Sequence, residues 1–191
     1  MRLVSTIEAL KLFNEKAQRL RDSRFIEILK NSGTTAISLQ YRKDEGVQIE
    51  STLPDTDSID AFVLNIRFFI QNNEKSSFEN ISKIYDELNI ENKYKVQVEE
   101  ARKELNSYLD SESHININNK KITRRNIFDT YIYGGLAHAN PQKKKIYDEW
   151  MKEPMLSQFL NFEFVNILTD FIRIINYIAS INLEVINRYN T

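Results

Sequence analysis

The sequence predicts a mainly α protein: a helical bundle carrying an N-terminal helix and one β-hairpin. Three observations point there. Backbone breakers are scarce, with 4 glycines and 3 prolines in 191 residues, about a third of ordinary usage and too few for the tight turns of a sandwich or barrel. Apolar residues recur at i, i+3, i+4 and i+7 through most of the chain, which is the period of one helix face. Convincing alternation of period two occurs in one place only, between Ile37 and Leu53.

The elements follow in order. Ser5 with Glu8 reads as a capping box for a first helix bearing Ile7, Leu10, Ala17 and Leu20 and continuing to Phe25, Ile28 and Leu29. Gly33 supplies its stop. Ile37, Leu39 and Tyr41, then Val47, Ile49 and Leu53, alternate with polar residues around Lys43-Asp44-Glu45-Gly46, the pattern of a hairpin. A lone hairpin is marginal in water, so its apolar face must pack on helices. Pro54-Asp55-Thr56-Asp57 opens a second helix with Ile59, Phe62, Val63, Ile66, Phe69 and Ile70 on one face, and Ala61, Leu64 and Phe68 widen the arc. Residues 77–88 and 93–109 predict a third and a fourth helix, the latter more charged. Residues 110–121 are polar and lack helical period, which predicts a loop. Thr123 caps a fifth helix, and Asn140-Pro141, an N-cap followed by proline at the first helical position, opens a sixth. Pro154 opens the longest, over about 155–188, with a seam of Phe164, Ile167, Leu168, Phe171, Ile174, Ile175, Ile178 and Ile181. Residues 1–54 thus read as a helix-plus-hairpin subdomain and 55–191 as the bundle, joined in one integrated domain.

Charge and composition narrow the function classes. The formal net charge is -1, from 26 basic and 27 acidic residues, so no global field draws the chain to nucleic acid or an acidic membrane. There are no cysteines, which removes disulfides, thiolate zinc sites and thiol nucleophiles. Met1-Arg2-Leu3-Val4-Ser5 leads straight into a charged amphipathic pattern, and nowhere do 18 uncharged apolar residues stand in a row. A cytoplasmic protein without a membrane partner is expected.

One stretch departs from plain scaffold. Tyr131-Ile132-Tyr133-Gly134-Gly135-Leu136-Ala137-His138-Ala139-Asn140 holds half of the chain's glycines, and two glycines inside a helical pattern cost about 1 kcal/mol each relative to alanine. Glycine lets a backbone, side chain or ligand approach closely. Lys143, Lys144 and Lys145 follow on the next helix, and at helical spacing Arg124, Tyr131, Gly135 and His138 fall near one face. This describes a small cationic pocket with an imidazole able to move a proton. A plainer reading stands beside it: Gly134-Gly135 permits a tight helix crossing, His138 satisfies free carbonyls at a helix end, and the lysines form a solvated face.

Leu136-Ala137-His138-Ala139-Asn140, at the end of a helix in a small bundle, resembles the histidine end of the motif in HEPN domains. That resemblance implies a helical bundle that dimerises and cleaves RNA in bacterial defence and toxin systems, without metal or cofactor. The positions where that family carries its arginine hold Tyr131, Ile132 and Tyr133 here. Arg67, which interrupts an apolar helix, and Arg124 are the arginines that could replace it, with Arg125 a further candidate. On this reading His138 transfers protons and Arg67 or Arg124 stabilises charge on phosphate. Tyr131, Gly134, Gly135, Asn140, Lys143 and Lys144 would bind RNA or a nucleotide.

Other chemistries find less support. His114 and His138 are the only histidines, and their spacing fits no zinc pattern. No Glu-x-x-His, nucleophile elbow or nucleotide fingerprint occurs. The alternative class is a non-catalytic interaction or regulatory protein that dimerises through its long C-terminal helix, motivated by the apolar seam from Phe164 to Ile181.

Overall fold

In the computed structural model, residues 2–23, 56–70, 81–136 and 140–189 are described. Among them are seven α-helices, one π-helical segment and one two-stranded sheet. The helices are α1 (Arg2–Arg21), α2 (Thr56–Ile70), α3 (Ile81–Glu87), α4 (Asn92–Asp110), α5 (Arg124–Asp129), α6 (Pro141–Met151) and α7 (Pro154–Tyr189). The strands are β1 (Glu112–Ile117) and β2 (Lys120–Thr123), and the π segment is Thr130–Leu136. The mainly helical class expected from the sequence is what the described residues form. The expected hairpin between Ile37 and Leu53, the continuation of the first helix to Leu29 and its stop at Gly33 lie outside the described residues.

The chain divides into two compact units, the first comprising 1–22, 64–107 and 170–191 and the second 23–63 and 108–169. In the first unit Leu10, Phe13, Ala17 and Leu20 of α1 are buried, and Phe13 meets Phe69 of α2 edge-on at 4.9 Å. The helix begins at Arg2, so Ser5 lies inside it rather than at its cap. Helix α3 ends in a Schellman turn: Asn89 takes a left-handed φ of 52°, Ile90 N–H reaches Tyr85 O at 3.0 Å and Asn89 N–H reaches Asp86 O at 3.1 Å. Phe171, Ile174, Ile175, Ile178 and Ile181 of α7 are buried in this unit. A buried polar layer threads it, in which the Tyr85 hydroxyl donates to Asn182 Oδ1 at 2.6 Å and Asn182 Nδ2 donates to Asn14 Oδ1 at 3.2 Å. Burial pushes the Tyr85 hydroxyl far above its usual pKa.

In the second unit Ile127, Phe128, Tyr131, Tyr147, Trp150, Leu160, Phe164, Ile167 and Leu168 are buried. The stretch expected to be a loop is instead an antiparallel hairpin with an irregular register between Glu112 and Asn116. Its turn residues Asn118 and Asn119 have φ of 51° and 62°, the paired left-handed conformation of a type I′ turn, which asparagine tolerates better than most residues. Glu112 to Ile117 do alternate in the sequence, but polar residues hide the period.

Two expectations about apolar faces also change. Ala61 and Leu64 of α2 are exposed rather than widening its buried arc. The α7 seam from Phe164 to Ile181 is buried within the chain, so it is not left for a partner. By length and composition α7 is apolar enough to cross a membrane, but half of that window is buried inside the structure.

Candidate functional site

The region singled out by its glycines is the corner of the second unit where α5, the π segment and α6 meet. Thr123 caps α5, accepting from Asn126 N–H while the Asn126 side chain answers the Thr123 backbone. After Asp129 the helix widens into the π segment, a geometry that is rare and recurs at functional sites. Asn140 then caps α6, its side chain accepting from the N–H groups of Gln142 and Lys143 at 3.0 Å each, with Pro141 at the first helical position. Asn140 N–H also donates to Tyr133 O at 3.1 Å, tying the middle of the π segment to the start of α6. Both sequence-predicted caps are present.

Each glycine has a packing partner. A β-carbon on Gly134 would lie 2.4 Å from Lys143 O, and one on Gly135 would lie 2.6 Å from the Tyr147 ring. The Tyr147 ring in turn stands edge-on to Tyr131 at 5.2 Å, and Tyr131 stacks on Phe164 at 4.4 Å. Tyr131 is fully buried and its hydroxyl donates to Asn161 Oδ1 at 2.6 Å. Burial holds that hydroxyl protonated well above the ordinary tyrosine range. The π segment does not follow the α-helical spacing that placed Arg124, Tyr131, Gly135 and His138 on one face. His138, with Ala137 and Ala139, lies outside the described residues.

The remaining site residues are engaged as follows. Arg124 Nε faces Glu163 Oε1 of α7 at 3.0 Å, both side chains mostly buried, and its guanidinium lies 4.8 Å from the centre of the Tyr108 ring. The same guanidinium donates to Ser111 Oγ at 2.6 Å and Glu112 O at 3.2 Å. Arg124 therefore clamps the hairpin to α7. Arg125 donates to Asp110 at 2.5 Å and holds that carboxyl below its usual range. Lys144 pairs with Asp148 one turn along α6 at 3.2 Å. Arg67 stands half-buried on α2, in the first unit.

Two features were not read from the sequence. Asn161 and Glu163 are the partners of Tyr131 and Arg124; Glu163 is legible in the sequence as an interruption of the last helix, but its partner is not, and Asn161 is marked only as a polar residue inside an apolar run. Asp129, the last residue of α5, is half-buried, and burial raises its carboxyl pKa against the opposing pull of Lys143 and Arg125. No group of three His, Asp or Glu able to hold a metal exists among the described residues.

Chemically, the corner is a packed crossing with one half-buried carboxyl at its edge, its pKa raised by burial against the pull of Lys143. A different surface stands out on α7. Met155, Phe159 and Phe162 are 67%, 60% and 70% exposed, and at i, i+4 and i+7 they share one helix face. Compared with known protein families, characterised proteins and solved structures, the chain matches none.

Proposed function

We propose that this chain works by association and not by chemistry: a non-catalytic helical interaction protein that dimerises through its long C-terminal helix. The exposed apolar face of Met155, Phe159 and Phe162, on a helix whose opposite side already fills the core, carries this reading. Contiguous apolar surface of that kind marks interaction sites on soluble proteins. The engagement of Arg124, Tyr131, Gly134, Gly135, Asn140 and Lys144 in packing, capping and ion pairs supports it as well. The test is to incubate purified protein with mixed RNA and follow its sedimentation. Self-association without RNA cleavage or RNA binding is expected. Cleavage that disappears in His138→Ala overturns the reading.

A second reading is favoured by one observation. Asp129, at the foot of the π segment, has its carboxyl pKa raised by burial against the pull of the Lys143 charge, a combination of burial and charge found at functional sites. On this reading the corner is the binding site of a HEPN-like protein for RNA or a nucleotide, with His138 as its proton-transfer group. RNA retention that falls in both His138→Ala and Lys143→Ala is its expected signature.

A further inference from the structure

We propose that the occupant of the α7 face is a second copy of this chain, the two N-terminal halves of α7 packing antiparallel about a two-fold axis beside Phe159. This rests on the association reading and adds the symmetry and the orientation of the pair.

Charge argues for the partner's identity. Residues 154–169 contain one ionisable side chain, Glu163, and it already faces Arg124. No lysine or arginine occurs between Lys152 and Arg173, so the face offers nothing to the phosphates of a nucleic acid or of an anionic bilayer, both of which select basic residues. A neutral apolar strip is complementary to itself, which is what a two-fold interface requires.

Area argues the same way. At roughly 200 Å² for each large side chain, the exposed fractions of Met155, Phe159 and Phe162 amount to roughly 400 Å² per copy. Pairing two such strips with the exposed flanks Pro154, Gln158 and Asn166 approaches the roughly 1,200 Å² at which specific interfaces begin.

Orientation follows from the spacing. Met155 and Phe162 are seven residues, about 10 Å, apart along the axis. An antiparallel pair sets each Met155 against the partner's Phe162, a favourable sulfur–aromatic contact, and opposes the helix dipoles. A parallel pair would align the dipoles and set like residues together.

The absence of cysteine makes the test clean, because any introduced thiol is the only one. Full-length protein at tens of micromolar is expected to sediment as a dimer. Phe159→Cys is expected to form an interchain disulfide under mild oxidation. Met155→Cys alone is not, because its two copies would lie beyond the about 4.4–6.8 Å that a disulfide spans, whereas Met155→Cys mixed with Phe162→Cys is. Phe159→Glu is expected to weaken self-association by roughly a hundredfold, a buried unpaired charge being costly, with circular dichroism unchanged. A wild-type dimer that Phe159→Glu leaves intact, or that links through Met155→Cys alone, overturns this proposal while the association reading stands. A wild-type monomer overturns both, and if it instead binds neutral lipid vesicles through Phe159, the occupant is a membrane.

Discussion

Gly134 and Gly135 stand where the π segment and α6 come closer than a β-carbon permits. The obstacle differs between them: Lys143 backbone at Gly134, and the buried Tyr147 ring at Gly135. Backbone cannot rotate aside, so Gly134→Ala is expected to cost about 3 kcal/mol and Gly135→Ala about 1–2 kcal/mol, the span of overpacking penalties; urea unfolding measures both. At Asp129 the expectation concerns pH. Burial raises the folded carboxyl pKa above its unfolded value, so the folded chain holds that proton more tightly. The ionised carboxyl therefore lowers stability at neutral pH, and the penalty fades as pH falls through the raised pKa. Asp129→Asn should unfold at higher urea than wild type at pH 7, with the gap closing as the medium is acidified. A gap that widens on acidification would contradict the assignment.

At the scale of elements, chain reversals among the described residues are set by asparagine more than by glycine. Asn89 closes α3, Asn118 and Asn119 turn the hairpin, and Asn140 starts α6. The two hairpin asparagines occupy left-handed backbone that costs an ordinary residue about 1–2 kcal/mol. Alanine at either position should destabilise the hairpin by about 1 kcal/mol, while Asn119→Gly, which matches the preferred Asn-Gly turn, should slow amide exchange across β1 and β2. Residues 110–121 read as a loop because Ser113 takes the buried position of β1, leaving only Ile115 and Ile117 to mark its inward face, and β2 opens on two exposed lysines. The helices were easier. Pro54, Pro154 and the Asn140-Pro141 pair lie at or within two residues of observed helix starts, and Thr123 forms the expected cap.

Over the whole molecule, α7 is the element on which both structure and proposed function depend. Its seam is interior, and Ile178, fully buried, should lose about 3–4 kcal/mol on truncation to alanine, as deep isoleucines do. Phe159 lies on the other side of the same helix, so Phe159→Ala should leave unfolding of the dilute monomer within about 0.5 kcal/mol of wild type. Thermal and urea unfolding below the association range separate these outcomes. Equal losses at the two positions would place Phe159 in the core and remove the basis for an interface.

Composition and periodicity by themselves determined the helical class, most helix positions and the capped starts of α5 and α6, because these depend on residues close in sequence. They also led to the Gly134–Asn140 segment, through the clustering of rare breakers. Only the tertiary structure decided how the described residues there are used. It set Tyr131 on Asn161, Arg124 on Glu163 and the two glycines against α6, in a π geometry that α-helical spacing does not describe. It likewise decided which side of α7 is filled. Both sides are apolar, so periodicity alone could not tell a seam closed by the chain's own helices from a face left to a partner.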